Sequence, residues 1–288
     1  MKCKNTKELR ILILKALSLQ KITNMKIKEV TNYLEERFPL CLQENFDNCG
    51  VQCGDVEQEI TGALVCFEMS EKVIDEALAM NANLVISHHP LMLKRGICKI
   101  EPTNRVGSVI CKALGHNMVL YSMHTNIDSA EGGGNDVFAE KLGLQHVRVL
   151  VPSEVESMAA NNGLGRIGTL PEPMPVMDFL RYVKVKMNLQ VLRYHGDTSK
   201  IVSTVAVCGG GGASFIEDAL CAGADAYVSG DIKYHDFFKA ENRMLITDIG
   251  HYEGEFFIKE IIYKALKEKF TTFAAAISKM DILEVLYL

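Results

Sequence analysis

Three short apolar segments of this chain each end at side chains that can bind a metal ion. The segments are residues 84–87, 118–122 and 244–249. The metal-capable side chains that follow them are His88, His89, His124, Asp128, His251 and Glu255. A short apolar run that stops abruptly is typical of a buried strand. We therefore expect three strand ends to meet around a metal site.

Helical segments alternate with these strands. Apolar residues at helical spacing predict helices at residues 27–38, 104–114 and 253–270. Ser70 is a favoured N-cap for a further helix that ends near Met80. Strands that alternate with helices predict an α/β fold, in which sites form beyond the carboxyl ends of the strands.

Other segments carry weaker patterns. Residues 44–54 are rich in turn-forming residues and predict a loop, and the prolines of residues 170–175 predict a connection. Asn135 follows three glycines, and we expect it to cap the next helix. Residues 277–288 have no pattern that predicts an element.

A strand–helix pattern occurs twice at a constant offset. Residues 63–66 correspond to residues 205–208, and Ser87 corresponds to Ser229, so the members of both pairs are 142 positions apart. Both copies are predicted to fold as strand, turn, helix, strand and loop. We infer two α/β halves of similar topology that share a site. The alternative is a chance similarity between two strand–helix units.

The candidate ligands indicate more than one metal ion. A catalytic zinc is usually held by three protein ligands and a water, and three imidazoles with two carboxylates exceed that number. Five ligands suit two metals about 3.5–4 Å apart, with Asp128 as the bridging carboxylate. Mixed nitrogen and oxygen ligands fit zinc, iron or manganese. For each histidine taken alone, the alternative is an ordinary hydrogen-bonding role at a strand end.

Proton transfer in such a site needs a side chain that is not itself a ligand. His124 is the first candidate because it lies four residues before Asp128. Asp231 and His235 are the next, because the repeat places them where the first half has its histidine pair. An orienting role beside the ligands is an equal alternative for all three. The glycine run at residues 209–212 indicates a tight turn, with phosphate binding as the alternative.

Charge and cysteine content argue against several classes of protein. The formal net charge of −5 argues against a broad nucleic-acid-binding surface. Nine cysteines without a C-x-x-C pair favour reduced thiols in a cytoplasmic protein. Arg10 and Lys15 interrupt the apolar residues 9–19, so neither a membrane span nor a signal peptide is expected there. We expect residues 1–24 to be a dispensable extension, with Met25 as an alternative start.

Several motifs together resemble one known family. The motifs are Ser87-His-His-Pro90, His124-Thr-Asn-Ile-Asp128, Gly250-His-Tyr-Glu-Gly-Glu255 and Phe46-Asp-Asn-Cys-Gly-Val51. On these residues the chain, from about Met25 to Ser278, resembles the Nif-three-like family, whose members are also called type 2 GTP cyclohydrolase I. The resemblance implies a dinuclear metal centre, two intertwined duplicated halves and a ring-shaped homohexamer. The family's ligand positions fall on His88, His89, Asp128, His251 and Glu255, and a further site histidine falls on His124.

The resemblance also implies a division of the chain. Residues 25–128 with 251–288 would form the first half, and residues 129–250 the second, with the metal site between them. Phe46 replaces a tryptophan of the family, and Gly254 replaces a common serine, but no ligand position is lost.

The reaction implied by the resemblance is the hydrolytic opening of the GTP imidazole ring to form dihydroneopterin triphosphate. Fold and metal ligands do not by themselves establish that substrate. Two alternatives therefore stay open. One is a metal-dependent hydrolase of another nucleotide or phosphoester, and the other is a non-enzymatic regulatory hexamer that acts through protein partners.

Overall fold

The computed structural model describes residues 25–93, 99–280 and 285–287, so the predicted extension at residues 1–24 lies outside the described residues. Two mixed sheets and their helices form the fold. The helices are α1 (Ile27–Arg37), α2 (Glu71–Ala79), α3 (Arg105–Gly115), α4 (Thr125–Ser129), α5 (Gly134–Lys141), α6 (Val176–Lys186), α7 (Ile216–Cys221) and α8 (Ile258–Lys269). The strands are β1 (Gly50–Cys53), β2 (Gly62–Cys66), β3 (Leu84–Ser87), β4 (Val119–Ser122), β5 (Gln145–Pro152), β6 (Gly163–Pro175), β7 (Arg193–His195), β8 (Ile201–Val207), β9 (Ala226–Ser229), β10 (Leu245–Asp248) and β11 (Ala274–Ile277).

The first sheet has the strand order β1-β4-β3-β2-β11. Strands β4, β3, β2 and β11 run parallel, and β1 is an antiparallel edge strand. Two helices that follow strands of this sheet begin at side-chain caps, of which Ser70 was predicted. Ser70 Oγ accepts a hydrogen bond from the Val73 N–H at the start of α2, and the Asn104 side chain accepts one from Gly107 N–H at the start of α3.

The second sheet has the strand order β5-β6-β8-β9-β10-β7, with a parallel centre of β8, β9 and β10. This centre repeats the pairing of the first sheet. Ala63 pairs with Leu84 in the first sheet, and Val205 pairs with Ala226 in the second, so both partners are displaced by 142 positions. The α/β fold with two similar halves is thereby confirmed.

Alternate residues of the parallel strands pack into different cores, as strands buried on both faces require. Ala63 and Val65 of β2 and Val205 and Val207 of β8 share one core with α1, α5, α6 and α8, which lies between the two sheets. The intervening Leu64 faces a core with α2 and α3 on the outer side of the first sheet. The outer side of the second sheet is covered by α7. The halves are thus joined by a continuous apolar layer.

Three expectations from the sequence need correction. Residues 170–175 form the end of β6 rather than a connection, and Gly50–Cys53 forms an edge strand rather than part of a loop. Asn135 lies inside α5, whose N-cap is Gly133, because its side chain is used elsewhere. Strand β11, which no sequence pattern predicts, joins β2 at the edge of the first sheet.

No helix of the described part of the chain is long and apolar enough to cross a membrane. The seven cysteines that fall within these ranges are all free.

Candidate metal centre

Strand β3 delivers the paired histidines to the carboxyl edge of the first sheet. The ladder continues one step beyond the strand, where His88 N–H donates to Cys66 O at 3.1 Å and His89 N–H to Phe67 O at 3.1 Å. These bonds fix the backbone of both histidines relative to β2. His88 is fully buried, and His89 is largely buried.

Strand β4, the neighbour of β3, delivers His124 and Asp128 to the same edge. His124 precedes α4, and Asp128 lies one turn further on, where its carboxylate is 3.9 Å from His88 Nε2. Strand β10 of the second sheet delivers His251, and a 3-10 turn at Tyr252–Gly254 carries Glu255 back toward it. The predicted convergence of three strand ends is present.

Glu255 lies at the centre of this cluster. Its buried Oε2 is 3.4 Å from His88 Nε2, 3.5 Å from His89 Nε2 and 3.2 Å from His251 Nε2. His89 Nε2 and His251 Nε2 are themselves 3.2 Å apart. The three imidazoles, which come from both sheets, therefore turn their Nε2 atoms toward one carboxylate.

The side chains fall into overlapping groups that have the spacing of metal ligands. His88, Asp128 and Glu255 form one group, and His89, His251 and Glu255 form another. Glu255 is common to both groups, whereas Asp128, the carboxylate expected from the sequence to be shared, belongs to one of them. A third group adds His124 to the histidine pair. Nitrogen and carboxylate oxygen donors in these numbers suit zinc, iron or manganese.

Each histidine of the cluster has an oxygen atom beside its Nδ1. The pairs are His88 with Met123 O at 2.8 Å, His89 with Glu68 Oε1 at 2.6 Å, His124 with Asp47 Oδ1 at 2.9 Å and His251 with Asp231 Oδ2 at 2.8 Å. Outer partners of this kind fix the ring orientation of a metal-binding histidine and leave Nε2 free for the ion. Within the described residues, buried His88 Nε2 and Glu255 Oε2 have no hydrogen bond of good geometry, which also fits an ion between them. His124 Nδ1 likewise has none, so its contact with Asp47 is a close ion-pair distance rather than a well-aligned hydrogen bond.

Two of these outer partners were not predicted from the sequence. Glu68 lies just beyond the carboxyl end of β2, so the strand-end argument that found the histidines could also have found it. Asp47 lies in the segment before β1, far in sequence from His124, and only the fold brings the two together. Asp47 is fully buried, and its carboxylate also accepts hydrogen bonds from Thr125 N–H at 3.0 Å and from the Thr125 hydroxyl.

The glycine run of residues 209–212 makes room for Glu255. Gly210 has a φ of +61°, and a Cβ there would overlap the Glu255 carboxylate. Asn135 links this run to the first half, since its side chain accepts from Gly209 N–H at 2.9 Å and donates to Asp128 O at 3.0 Å. This geometry favours the interpretation of the run as a tight turn with close packing.

Burial and neighbouring charges shift the pKa values of the cluster in opposite directions. Burial lowers the pKa of His88 to about 4, against the attraction of Glu255. Burial would also lower the pKa of His89, but the carboxylates of Glu255 and Glu68 raise it to about 10. In the same way, Glu255 and Asp231 raise the pKa of His251 to about 9. Burial, together with the nearby Glu255, raises the pKa of Asp128 well above its ordinary value.

The three candidates for proton transfer have different surroundings. His124 stands beside the histidine pair, with ring centroids 5.2 Å from both His88 and His89. Asp231 contacts His251, which is the orienting role that the sequence left as an alternative. His235 is exposed beside Tyr234, and no metal-capable group of the described residues includes it. The structure therefore brings His124 and Asp231 to the cluster but not His235.

A cavity of about 620 Å³ opens beside the exposed side of the cluster. His89 and His251 form part of its wall, and Phe67 and Tyr252 add aromatic surface. Arg105 and Arg193 line it from opposite halves of the chain. A cavity of this size and mixed lining accommodates a small organic molecule next to the cluster.

The fold and the cluster together define a mixed α/β protein with a candidate histidine–carboxylate metal centre between two sheets. The family model described as Duf34/NIF3 (NGG1p interacting factor 3) matches residues 25–282. The chain belongs to this family, which confirms the resemblance seen in its motifs.

Curated relatives and solved structures agree with this assignment. A Clostridium perfringens protein named "GTP cyclohydrolase 1 type 2 homolog" is 35% identical over 248 residues, which are 85% of this chain and 92% of that protein. A Clostridium acetobutylicum protein of the same name is 34% identical and covers 81% of this chain and 86% of its own length. The structure of Staphylococcus aureus hypothetical protein SA1388 has a TM-score of 0.82 at 26% identity and covers 92% of this chain and 99% of its own. A Bacillus cereus protein related to NIF3 has a TM-score of 0.83 at 23% identity, with 92% and 100% covered, and shows the likeness of fold.

Proposed function

We propose that this protein binds two divalent metal ions in the cluster and uses them to hydrolyse a small molecule held in the adjoining cavity. The observation that carries the proposal is the convergence of three imidazole Nε2 atoms on one buried Glu255 oxygen, at 3.2–3.5 Å. Two of these atoms, His88 Nε2 and Glu255 Oε2, are buried without a hydrogen bond among the described residues, which is costly unless a cation joins them.

The two overlapping groups define the residues that would hold the ions. His88, Asp128 and Glu255 would hold one, and His89, His251 and Glu255 the other. When bound, a pair of divalent cations supplies an activated water and stabilises the charge that develops in hydrolysis. The chain's own residues then have to orient the substrate and move protons.

His124 is placed to move a proton at the cluster. It lies beside the histidine pair, and the carboxylate of Asp47 holds its Nδ1 edge. Asp231 orients His251 rather than acting on the substrate. In the cavity, Tyr252 would pack on a planar ring, and Arg105 would meet an anionic group.

The names of the relatives support GTP as the first substrate to test, with dihydroneopterin triphosphate as the product. Other nucleotides and phosphoesters fit the same chemistry.

We also propose that the protein forms the homohexamer that the family resemblance implies. Light scattering on the protein as it elutes from a size-exclusion column measures the mass of the assembly.

The test begins with the metal content of the purified chain and its activity on GTP and on a panel of nucleotides and phosphoesters. We expect two metal ions per chain and turnover that is lost in Glu255→Gln. His124→Ala should keep both ions but lower turnover by about 100-fold or more. His235→Ala is the matched control, because that histidine lies outside the cluster, and its activity should be unchanged.

Each outcome has a separate meaning. A content of one ion or none in wild-type protein contradicts the dinuclear centre. If the protein binds two ions and hydrolyses other compounds but not GTP, the cyclohydrolase reaction is rejected and the assignment as a metal-dependent hydrolase is retained. Two ions without turnover of any compound favours a regulatory metal-binding protein.

A further inference from the structure

The Arg193–Asp248 ion pair lies behind the His251 side of the cluster. Asp248 is the last residue of β10 and is buried, whereas Arg193 is the first residue of β7, the antiparallel edge strand beside it. Their side chains form a close ion pair, and the Arg193 guanidinium also lies over the Phe237 ring at 5.5 Å. The mechanism described above does not use this pair.

The pair holds the backbone of Ile232, the residue after Asp231, at both its N–H and its carbonyl group. Asp248 Oδ2 accepts a hydrogen bond from Ile232 N–H at 3.1 Å, and Arg193 donates one to Ile232 O at 2.8 Å. Asp231 itself has a φ of +53°, a left-handed conformation that a non-glycine residue keeps only when its surroundings impose it. The ion pair supplies those surroundings.

The same carboxylate also holds the residue before His251. Asp248 Oδ1 accepts from Gly250 N–H at 2.9 Å, and Gly250 has a φ of +93°. One buried side chain therefore fixes the backbone on both sides of the Asp231–His251 contact. The imidazole and its orienting carboxylate stand on two loops, and the Asp248 carboxylate bonds the backbone of both.

The internal repeat shows that this arrangement belongs to the second half alone. Ser87 pairs with Ser122 in the first sheet, and Ser229 pairs with Asp248 in the second, so Ser122 and Asp248 are equivalent. Ser122 Oγ lies 2.9 Å from Ser87 Oγ and makes only a long contact of 3.4 Å with His89 O. The first half holds its histidine loop through the backbone ladder to β2 and a hydrogen bond of 2.6 Å from the Ser87 hydroxyl to His89 O, whereas the second half uses a charged pair.

From this geometry we infer that Arg193 and Asp248 are positioning residues for the ion that His89, His251 and Glu255 would hold. The inference rests on the proposed dinuclear centre. Its consequence is selective: loss of the pair frees His251 and Asp231 but leaves His88 and Asp128 on their own strands. One of the two metal positions should therefore weaken while the other keeps its affinity.

The experiment is a titration of metal-free full-length protein with Co²⁺, followed by visible absorption, for wild type, Asp248→Asn and Arg193→Ala. Wild type should take up two ions. In both variants one step should weaken by about ten- to a hundredfold while the other is unchanged, as found when an outer partner of a metal ligand is removed. Arg193→Lys, which keeps a cation beside Asp248, should recover part of the loss.

Asp225→Asn is the matched control. Asp225 precedes β9 at the opposite end of the same sheet and accepts hydrogen bonds from Ser203 N–H at 3.0 Å and Thr204 N–H at 2.8 Å. Its loss should lower the thermal midpoint without changing either Co²⁺ step. If Asp248→Asn does not fold, Arg193→Ala still tests the inference. The Arg193 side chain is largely exposed, so its loss should not prevent folding.

The inference is overturned if the variants bind both ions as wild type does, or if both steps weaken equally. Failure of the dinuclear centre is a different result, because it appears in the wild-type titration as a single step or none. That result contradicts the two-ion centre itself, and with it the inference that Arg193 and Asp248 support one of two metal positions.

Discussion

At the scale of single residues, Gly210 makes room for the carboxylate on which the candidate centre depends. Its φ of +61° and the overlap that a Cβ would make with Glu255 both oppose any side chain there. We expect Gly210→Ala to lose metal and to lower the free energy of unfolding by about 1–3 kcal/mol, because alanine is strained and displaces Glu255. Metal analysis after dialysis and urea unfolding measure the two effects.

The control for this substitution is Gly223→Ala. Gly223 has a φ of +84°, but nothing lies within 4 Å of a Cβ placed on it. It should lose stability through backbone strain and keep its metal. Equal metal content in the two variants would show that Gly210 does not shape the site.

The residues of the cluster could be predicted from the sequence because each lies at the end of an apolar strand. Their positions relative to one another could not, since the central place of Glu255 depends on how the turn after His251 folds back. Asp47 lies in the motif Phe46-Asp-Asn-Cys-Gly-Val51, but its contact with His124 could not be predicted for a related reason. No local pattern shows which remote histidine a buried carboxylate contacts.

At the scale of elements, one buried side chain fastens helix α5 to strand β6. Arg166 of β6 is 1% exposed, and its guanidinium pairs with Asp136 of α5 and donates to Gly163 O at 2.8 Å and Gly165 O at 2.9 Å. We expect Arg166→Met to lower the free energy of unfolding by about 3 kcal/mol, because Asp136 and two carbonyls lose their partner. Urea unfolding measures the loss.

Two comparisons check the cause of that loss. Adding Asp136→Asn to Arg166→Met should recover part of the stability, since the unpaired carboxylate is removed. Arg181→Met breaks the exposed Arg181–Asp178 pair and should cost less than about 1 kcal/mol. A loss of that smaller size at Arg166 would contradict the expected anchoring.

The parallel strands at the centre of each sheet were predictable because they are buried on both faces and are apolar throughout. Strands β5 and β6 were not. Most of β5 is exposed, and β6 contains prolines, which it accommodates where its register with β8 shifts between Thr169 and Met174. Strand β11 is short and half-exposed, so only its pairing with β2 defines it.

At the scale of the whole molecule, metal loading should be linked to pH. In the metal-free protein His89 and His251 hold protons, since their pKa values are about 10 and 9, whereas His88, with a pKa of about 4, does not. Metal ions bind neutral imidazole, so full loading at pH 7 should release about two protons from these rings.

The sign of the effect follows from competition between protons and metal. Raising the pH from 7 removes the competing protons, so apparent metal affinity should rise until the pH passes about 9–10 and then level off. Calorimetric titration in buffers of different protonation enthalpy measures the number of protons released. Identical heats in all buffers would mean that the two histidines are already neutral.

The return of the chain to its first sheet has a consequence for its synthesis. Strand β11 joins β2 after the whole second sheet has been made, and Glu255 and His251 also come from this last part of the chain. As the chain leaves the ribosome, His88, His89 and Asp128 are therefore present long before the residues that complete their cluster. Until then the β2 edge stays open to pairing with other chains, and pairings between segments so distant in sequence form slowly. The nascent protein thus has a long interval in which it is vulnerable to aggregation and can hold at most part of its metal.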